Sequence, residues 1–296
     1  MGVHSTKNRQ TIKRAYHRGP IVKALRVFRG LMAFLTAIPF KMDESFLDIS
    51  ARFMFLFPVI GAIIGAIVGA YAFFTNETLF FLFSSINNLI FSGSHEVFFE
   101  FVAKGLASVM TVAFLLVIIG LQHTDGLVDV GNALGIRKAS LKEKMDIAHV
   151  WTVTRTGAFF ALIVSFFTLL LIFLTKTDSI IQALIVAEVS AKLAMVTTAW
   201  QGTSPPQRLE DKRGKGRSFI DFMNKNHALY AVSLAISLAV SVPLFGIIGV
   251  LPVVTGILVG AFMIVLGKRV FGGVNGDIFG ATNEIARMFA LLMLVI

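Results

Sequence analysis

The stretch FMFLFPVIGAIIGAIVGAYAFF, Phe53–Phe74, contains no charged residue. A helix of about 20 apolar residues is long enough to cross the roughly 30 Å hydrocarbon core of a bilayer. Several other stretches of similar composition follow it, so a cleaved signal peptide does not account for them. These stretches also lack the alternation of apolar and polar residues that is typical of outer-membrane barrels. The sequence therefore predicts an all-α, polytopic integral membrane protein.

Apolar stretches of this kind predict about seven transmembrane helices, at residues 51–75, 98–121, 156–175, 179–200, 227–247, 248–267 and 284–296. Residues 21–40 are also apolar, but they carry three cations at three-residue spacing, which is typical of an interfacial amphipathic helix. Residues 78–92 are too short to cross, and we expect them to be re-entrant or to lie against the outer face. The predicted organisation is a basic arm at 1–20 followed by a single membrane-embedded helical domain at 21–296.

The overall composition agrees with a membrane protein. The 296 residues are 56% hydrophobic and 15% charged, whereas soluble domains usually contain about a quarter charged residues. The chain contains no cysteine, which excludes disulfides, thiol catalysis and cysteine-ligated zinc or iron–sulfur sites.

Positive charge is unevenly distributed along the chain. The net charge is +10, and the first thirty residues carry eight Lys and Arg before any acidic residue. Such an arm is typical of a topology signal that binds anionic lipid. The sequence contains no recognisable nucleic-acid-binding module, so we expect no nucleic acid as a partner. If the N-terminus is cytoplasmic, the basic loops 122–155 and 201–226 lie on the same side. We therefore expect a plasma-membrane protein whose N-terminus is cytoplasmic, together with these loops, which hold candidate site residues.

Small residues in the first apolar stretch indicate how helices pack. Gly61, Gly65 and Gly69 recur every four residues in GAIIGAIVGA. This spacing lets helix backbones approach closely in lipid. A nucleotide-binding glycine loop would need a preceding strand and polar surroundings, and the sequence has neither. We therefore predict a helix-packing surface.

The stretch GLQHTDGLVDVGNALG, Gly120–Gly135, places two carboxylates directly after an apolar segment. Asp125, Asp129 and Asn132 are spaced at i, i+4 and i+7, so a helix would present all three on one face. Carboxylates this close repel each other beside a low-dielectric boundary, so they take up a proton or bind a cation. Oxygen ligands suit a hard ion, Mg²⁺ or Mn²⁺, shared with substrate phosphates.

The same residues have an ordinary structural interpretation. Asp125 and Asp129 would then cap a helix end and pair with nearby cations at positions 138, 142 or 155. His123 at a helix end is more typical of a hydrogen-bonded interfacial residue than of a metal ligand. The spacing alone leaves both interpretations open.

A second polar cluster lies in GKRVFGGVNGDIFGATNEIAR, Gly267–Arg287. Its glycines permit an irregular turn, and Asp277 and Glu284 then fall on one helical face. Free N–H groups at a helix start favour an anionic ligand, although a loop with Asp277 as a capping residue is an equal alternative.

Two further features are open to a functional or a structural interpretation. The loop 201–226 contains alternating glycines and cations, which suits either a lid for a polyanionic substrate or a flexible topology-setting loop. Glu188 and Lys192 are spaced at i, i+4 inside a predicted span, where charges are costly. We expect them to face the protein interior as a pair, whose role is either structural or substrate binding.

Two motifs resemble the cobalamin synthase family, also called adenosylcobinamide-GDP ribazoletransferase. The family's His-x-Asp-Gly-Leu-x-Asp signature is similar to residues 123–129, and its Gly-Gly-x-x-Gly-Asp-x-x-Gly-Ala motif is similar to residues 272–281. A third aspartate followed by glycine, usual in the family's first motif, is replaced here by Asn132 and Ala133.

The resemblance implies a reaction between adenosylcobinamide-GDP and α-ribazole or its 5′-phosphate, with release of GMP and formation of adenosylcobalamin or its 5′-phosphate. Phosphoryl transfer depends on positioning and charge neutralisation, which paired carboxylates with Mg²⁺ supply. We expect Asp125 and Asp129 to hold Mg²⁺, and we count Asp129 among the catalytic residues as well. Asp277, or else His123, is expected to accept the proton of the attacking hydroxyl group. The expected substrate-binding residues are Gly126, Asn132, Arg155, Lys192, Gly273, Asn275, Gly276 and Glu284.

Two other classes of protein share part of this pattern. An ion-coupled transporter would use intramembrane carboxylates and broken helices, but its carboxylates would lie at the midplane rather than at one edge. A phosphotransferase acting on CDP-linked alcohols would carry a longer motif with further aspartates. The sequence also allows a homo-oligomer.

Overall fold

The computed structural model describes residues 20–40, 46–136, 140–148, 153–206 and 216–296. The predicted basic arm, except Pro20, lies outside the described residues, as do the cations at 137, 138, 208, 212, 213 and 215. The described part of the chain is all-helical, as predicted. Its α-helices are α1 (Pro20–Leu35), α2 (Phe46–Arg52), α3 (Phe57–Phe91), α4 (Glu96–Ile119), α5 (Gln122–Leu134), α6 (Leu141–Ala148), α7 (Arg155–Leu174), α8 (Ile180–Gln201), α9 (Arg217–Lys225), α10 (His227–Phe245), α11 (Val250–Phe271) and α12 (Gly276–Val295).

Six helical stretches among the described residues are long and apolar enough to cross a membrane. They are Met54–Phe91, Glu96–Ile119, Arg155–Leu174, Thr177–Gln201, His227–Phe271 and Gly276–Val295. The fifth stretch contains both α10 and α11, which are joined by the short 3₁₀ turn Gly246–Gly249. This agrees with the two adjacent spans predicted at 227–247 and 248–267. The chain is a multi-pass membrane protein, and the predicted class is confirmed.

Two predicted boundaries are wrong. The first span does not end at residue 75, because α3 continues without interruption to Phe91 and includes residues 78–91, which were predicted to be re-entrant or to lie against the outer face. The polar residues 75–78 lower the hydropathy, but none of them is Gly or Pro, so nothing there ends the helix. Ser92, at a φ of 53°, and Gly93, at 79°, end it instead. The last helix begins at Gly276 rather than 284, so it carries the second motif.

The glycines of α3 lie against α8. A Cβ atom on Gly61 would lie 2.6 Å from the carbonyl oxygen of Glu188, and one on Gly65 would lie 2.5 Å from the Cα of Ile185. Gly69 meets Ile181 in the same way, so contacts move backward along α8 as they move forward along α3. The two helices are therefore antiparallel and in close backbone contact, as the spacing of the glycines predicted.

Replacing Gly65 by Ala is expected to destabilise the protein by about 1–3 kcal/mol, because the added methyl group overlaps the backbone of α8. Thermal unfolding in detergent measures this loss. Gly105→Ala is the matched control, since a Cβ atom at Gly105 on α4 meets no atom within 4 Å. The control is expected to keep or slightly raise stability, because Ala is the better helix former. Equal effects of the two substitutions would contradict the close packing of α3 on α8.

Candidate functional site

The first motif forms the short helix α5, which follows the C-terminal end of α4. Gly120, at a φ of 79°, separates the two helices in a backbone conformation that favours glycine. Asp125, Asp129 and Asn132 all lie on α5, which is the helix that their spacing required. Asp125 is exposed, Asp129 is half-buried and Asn132 is buried. The face that they share therefore runs from the surface into the protein.

The second motif lies against the first. A Cβ atom on Gly126 of α5 would lie 2.6 Å from the carbonyl oxygen of Asp277, and one on Gly280 of α12 would lie 3.0 Å from the Cα of His123. Each helix thus presents a glycine where the other helix passes closest. This contact brings Asp277 beside the helix that carries Asp125 and Asp129, although more than a hundred residues separate them in the sequence.

Asp125 and Asp277 influence each other electrostatically. Partial burial raises the pKa of the Asp125 carboxyl group above its usual value, and the negative charge of Asp277 raises it further. Two carboxylates in this arrangement favour a bound cation or a shared proton. The prediction of an acidic cluster on α5 thus extends to a residue of α12.

The start of α12 is open. Asn275 is the N-cap residue, and its Oδ1 accepts a hydrogen bond of 3.0 Å from the backbone N–H of Ile278. Its Nδ2 donates to Oδ2 of Asp277 over 2.8 Å. Gly276 is exposed, and a Cβ atom there would meet no atom within 4 Å. The N-terminus of α12 therefore offers backbone N–H groups and a positive dipole end to an anion.

The glycine turn before α12 is held by the segment that follows α8. The N–H of Val274 donates to the carbonyl oxygen of Thr203 over 2.8 Å. A Cβ atom on Gly273 would lie 2.5 Å from the backbone nitrogen of Pro205, so only glycine fits there. Arg217 Nη2 donates to the carbonyl oxygen of Pro205 over 3.0 Å. The predicted substrate-binding residue Gly273 thus lies inside this packed turn, whereas Gly276 faces open space.

His123 lies beneath the carboxylates and is 9% exposed. Burial lowers its pKa to about 3, and the positive charges of Lys192 and Arg287 contribute to the shift. Its Nδ1 is buried and has no hydrogen-bond partner among the described residues. His123 is therefore neutral near pH 7, and an imidazole with so low a pKa is a weak proton acceptor.

Asn132 and Arg155 lie where α5 meets α7. The Oδ1 of Asn132 accepts hydrogen bonds from the backbone N–H of Thr154, at 3.0 Å, and from its hydroxyl group, at 2.6 Å. Thr154 in turn caps α7 by accepting a bond from the N–H of Gly157. The structure thus uses the Asn132 side chain to join two helices, and Arg155, the first residue of α7, is exposed beside that junction.

A buried network of charged side chains joins α8 to α12. Lys192 Nζ donates to Oε2 of Glu188 over 3.0 Å and to Oδ1 of Asn283 over 2.7 Å. Arg287 donates to both Glu188 and Glu284. The predicted interior pair of Glu188 and Lys192 is confirmed, and Lys192 is fully buried. Two cations face two carboxylates, so the network is close to neutral.

Sequence reasoning missed Asn283 and Arg287. Arg287 is a cation inside an apolar helix, and such a residue almost always has a carboxylate partner within the protein. Glu284, three residues earlier, and the Glu188 pair were available partners. Counting the charges of all predicted spans together would have identified this network.

A hard cation at the aspartate carboxylates would need further ligands from water or a bound substrate. Among the described residues, no three His, Asp or Glu side chains lie close enough to form a metal site by themselves. The donors near the start of α12 are oxygen atoms of Asp125 and Asp277, with Asp129 one turn further along α5. Mg²⁺ usually binds to one or two carboxylates and takes its other ligands from water and phosphates.

The fold and this site define a polytopic helical membrane protein with acidic side chains beside an open helix start. Comparison with known families then identifies the group of proteins. The chain belongs to the cobalamin-5-phosphate synthase family, which matches residues 27–295. The resemblance noted in the two motifs therefore extends over almost the whole chain.

Curated relatives are similar over most of their length, and all three described here are named adenosylcobinamide-GDP ribazoletransferase. The protein of Methanosarcina barkeri is 28% identical, over 92% of this chain and 92% of its own. The protein of Methanococcoides burtonii is 28% identical, over 92% of each chain. The protein of Methanocella arvoryzae is 30% identical, over 90% of this chain and 94% of its own. No solved structure matches the chain. These comparisons give no support to a transporter or a CDP-alcohol phosphotransferase.

Proposed function

We propose that this protein is an adenosylcobinamide-GDP ribazoletransferase. The ribose hydroxyl group of α-ribazole, or of its 5′-phosphate, forms a new bond to the phosphorus atom linked to cobinamide. The bond between that phosphorus and the GMP oxygen breaks, and GMP leaves. The proton of the hydroxyl group passes to a carboxylate of the protein. The product is adenosylcobalamin or its 5′-phosphate.

The close contact of α5 with the start of α12 carries this proposal. It places two carboxylates beside a helix N-terminus that is open to a ligand. A diphosphate has the negative charge that such a helix start attracts. Phosphoryl transfer needs little more from a protein than positioning and neutralisation of charge, and this arrangement supplies both.

The carboxylates have different roles in the proposed reaction. Asp125 and Asp129 share one face of α5 and would hold Mg²⁺ against the diphosphate. When bound, Mg²⁺ neutralises charge that develops on the phosphate oxygens. Asp277 is oriented by its hydrogen bond from Asn275 and accepts the proton of the attacking hydroxyl group. His123 is the weaker candidate for this role because its imidazole is buried, which lowers its pKa, whereas Asp277 is only half-buried.

The substrate contacts come from the rim of this site. Gly276 and the N–H groups at the start of α12 bind the diphosphate, and the small Gly126 keeps α5 close enough for its carboxylates to reach the same group. Arg155 lies at the exposed start of α7 and adds positive charge for a polyanionic substrate. Lys192 and Glu284 lie below this rim and support it through the buried network of charged side chains.

The site faces the cytoplasm in this proposal. Lys268 and Arg269 lie in the last turn of α11, next to the glycine turn of the site. Cations flanking membrane helices are enriched on the cytoplasmic side. Labelling of a cysteine introduced at Lys268 tests this orientation, because the natural chain contains no cysteine. Labelling from the outer face only would contradict it.

The activity is tested with purified protein in lipid vesicles, supplied with adenosylcobinamide-GDP, Mg²⁺ and either α-ribazole or its 5′-phosphate. We expect release of GMP with at least one of the two acceptors. Asp129→Asn is expected to reduce this release about 100-fold or more, because charge stabilisation at such a site is worth several kcal/mol. The measurement is GMP formed per unit time at saturating substrate.

Asp178→Asn is the matched control, since Asp178 is exposed in the short connection before α8, at the end of the bundle away from the site. It is expected to keep full activity. No GMP release with either acceptor would exclude the proposed enzyme. Full activity of Asp129→Asn would leave the enzyme intact but remove Asp129 from the metal site.

A further inference from the structure

An apolar groove lies between α1 and the start of α3, and none of its lining residues belongs to the acidic site. Its cavity volume is about 340 Å³, within the range of about 300–1,000 Å³ that is usual for ligand sites. The walls are apolar side chains that include Val27 and Phe28 of α1 and Phe53 and Val59 near the start of α3. Among the described lining residues, Lys23 is the charged one. The groove therefore suits a long apolar ligand with a negative end.

The groove opens to the surface of the helix bundle. Phe28 is 39% exposed and Val59 is 38% exposed, so a ligand can enter from the side. The neighbouring residues Val22 and Leu25 of α1 are exposed and apolar as well. A surface of this kind on a membrane protein faces lipid rather than water.

The position of the groove along α3 matches the edge of the bilayer. The first membrane-spanning stretch begins at Met54, and the groove is lined by residues on both sides of that point. Residues there lie at the boundary between headgroups and acyl chains. A phospholipid in the groove would thus have its headgroup beside α1 and its chain beside α3.

The charge of α1 indicates which headgroup fits. Lys23, Arg26 and Arg29 lie on this helix, and the sequence contains no acidic residue before Asp43. Cations placed next to a membrane helix attract anionic phospholipids of the inner leaflet. The excess of positive charge on α1 and the apolar walls of the groove together favour an anionic lipid.

We propose that the groove is a binding site for one anionic phospholipid, with an acyl chain between α1 and α3 and the phosphate group beside Lys23. The bound lipid fills the space between α1 and the membrane helices and fixes α1 against them. This site is separate from the acidic site and goes beyond the proposed enzyme activity. Its occupant is a membrane phospholipid rather than a free fatty acid or an inorganic anion.

Photo-crosslinking tests the proposal without using enzyme activity. The full-length protein is placed in vesicles that contain phosphatidylglycerol with a photoreactive group on its acyl chain, and crosslinked residues are mapped by mass spectrometry. We expect crosslinks at Phe53 and Val59 to be at least fivefold more frequent than with the matching phosphatidylcholine probe. Leu258 on α11, which is 64% exposed, is the control position and is expected to react equally with both probes.

Three variants separate binding of the acyl chain from the effect of the charge. Ala24→Trp adds bulk to the groove wall and is expected to abolish the crosslinks at Phe53 and Val59 while leaving those at Leu258 unchanged. Lys23→Gln is expected to remove most of the preference for phosphatidylglycerol. Val27→Trp is the second groove-filling variant, and unchanged thermal unfolding identifies the variants that fold.

Three outcomes would overturn the proposal. The first is equal crosslinking by the two probes at Phe53 and Val59, which would make the groove ordinary lipid-facing surface. The second is loss of the crosslinks on addition of a free fatty acid at equal concentration, which would identify a different ligand. The third is unchanged crosslinking in a folded variant with a filled groove.

Discussion

Replacing Asp277 by Asn is expected to reduce the rate of GMP release by about 10²–10⁴-fold, the usual contribution of a positioned general base. The amide keeps the size of the side chain, and its oxygen can still accept the hydrogen bond from Asn275 Nδ2, but it cannot accept the proton of the attacking hydroxyl group. The N-cap residue of α12 is Asn275 rather than Asp277, so the substitution leaves the start of the helix in place. The measurement is kcat for GMP release, together with the KM for adenosylcobinamide-GDP.

We expect kcat to fall while KM changes little, because the diphosphate is bound by backbone N–H groups that the substitution leaves unchanged. Asp221→Asn serves as a second matched control at the same end of the bundle, since Asp221 on α9 is exposed. A variant at Asp277 with wild-type kcat would show that another group takes the proton. A large rise in KM at unchanged kcat would make Asp277 a binding residue.

The second large effect is expected for the buried charges. Replacing Arg287 by Met leaves Glu188 and Glu284 facing a single cation, Lys192, in the interior. Removing one partner from a buried ion pair typically costs about 3–5 kcal/mol, since the remaining charge is left without compensation. We therefore expect a loss of stability of this size, measured by thermal unfolding in detergent.

The matched control for this prediction is Arg52→Met, since Arg52 is exposed at the end of α2. Its effect is expected to stay within about 0.5 kcal/mol. The double substitution Glu188→Gln with Arg287→Gln restores the charge balance between Lys192 and Glu284, so it should be more stable than Arg287→Met alone. Similar stabilities of Arg287→Met and Arg52→Met would show that the network contributes little to the folded state.

The sequence alone was sufficient for the helical class and for local packing. Apolar stretches of membrane-spanning length predicted the spans, and the four-residue spacing of Gly61, Gly65 and Gly69 predicted the close approach of another helix. The sequence could not identify α8 as that helix. Small residues indicate how closely a neighbouring helix packs, but they do not indicate which helix it is. The predicted end of α3 was wrong, because a fall in hydropathy does not end a helix, whereas helix-breaking residues do.

The site was predictable as two separate halves. The spacing of Asp125 and Asp129 and the glycine turn before Asp277 each indicated an anion or cation site. The two halves come together through the tertiary contact between Gly126 and Asp277, and no periodicity in the sequence predicts that contact. The lowered pKa of His123 was equally inaccessible, because it comes from burial and from cations on α8 and α12.

The claim that α5 and α12 form one catalytic site is tested most directly by a double-mutant cycle on kcat for GMP release, with Asp125→Asn, Asp277→Asn and the double variant. Residues that act on the same reacting group are strongly non-additive. We predict that the double variant loses about as much activity as the more damaging single variant. If the two losses multiply instead, the carboxylates act independently, and the single site formed by α5 and α12 would be contradicted.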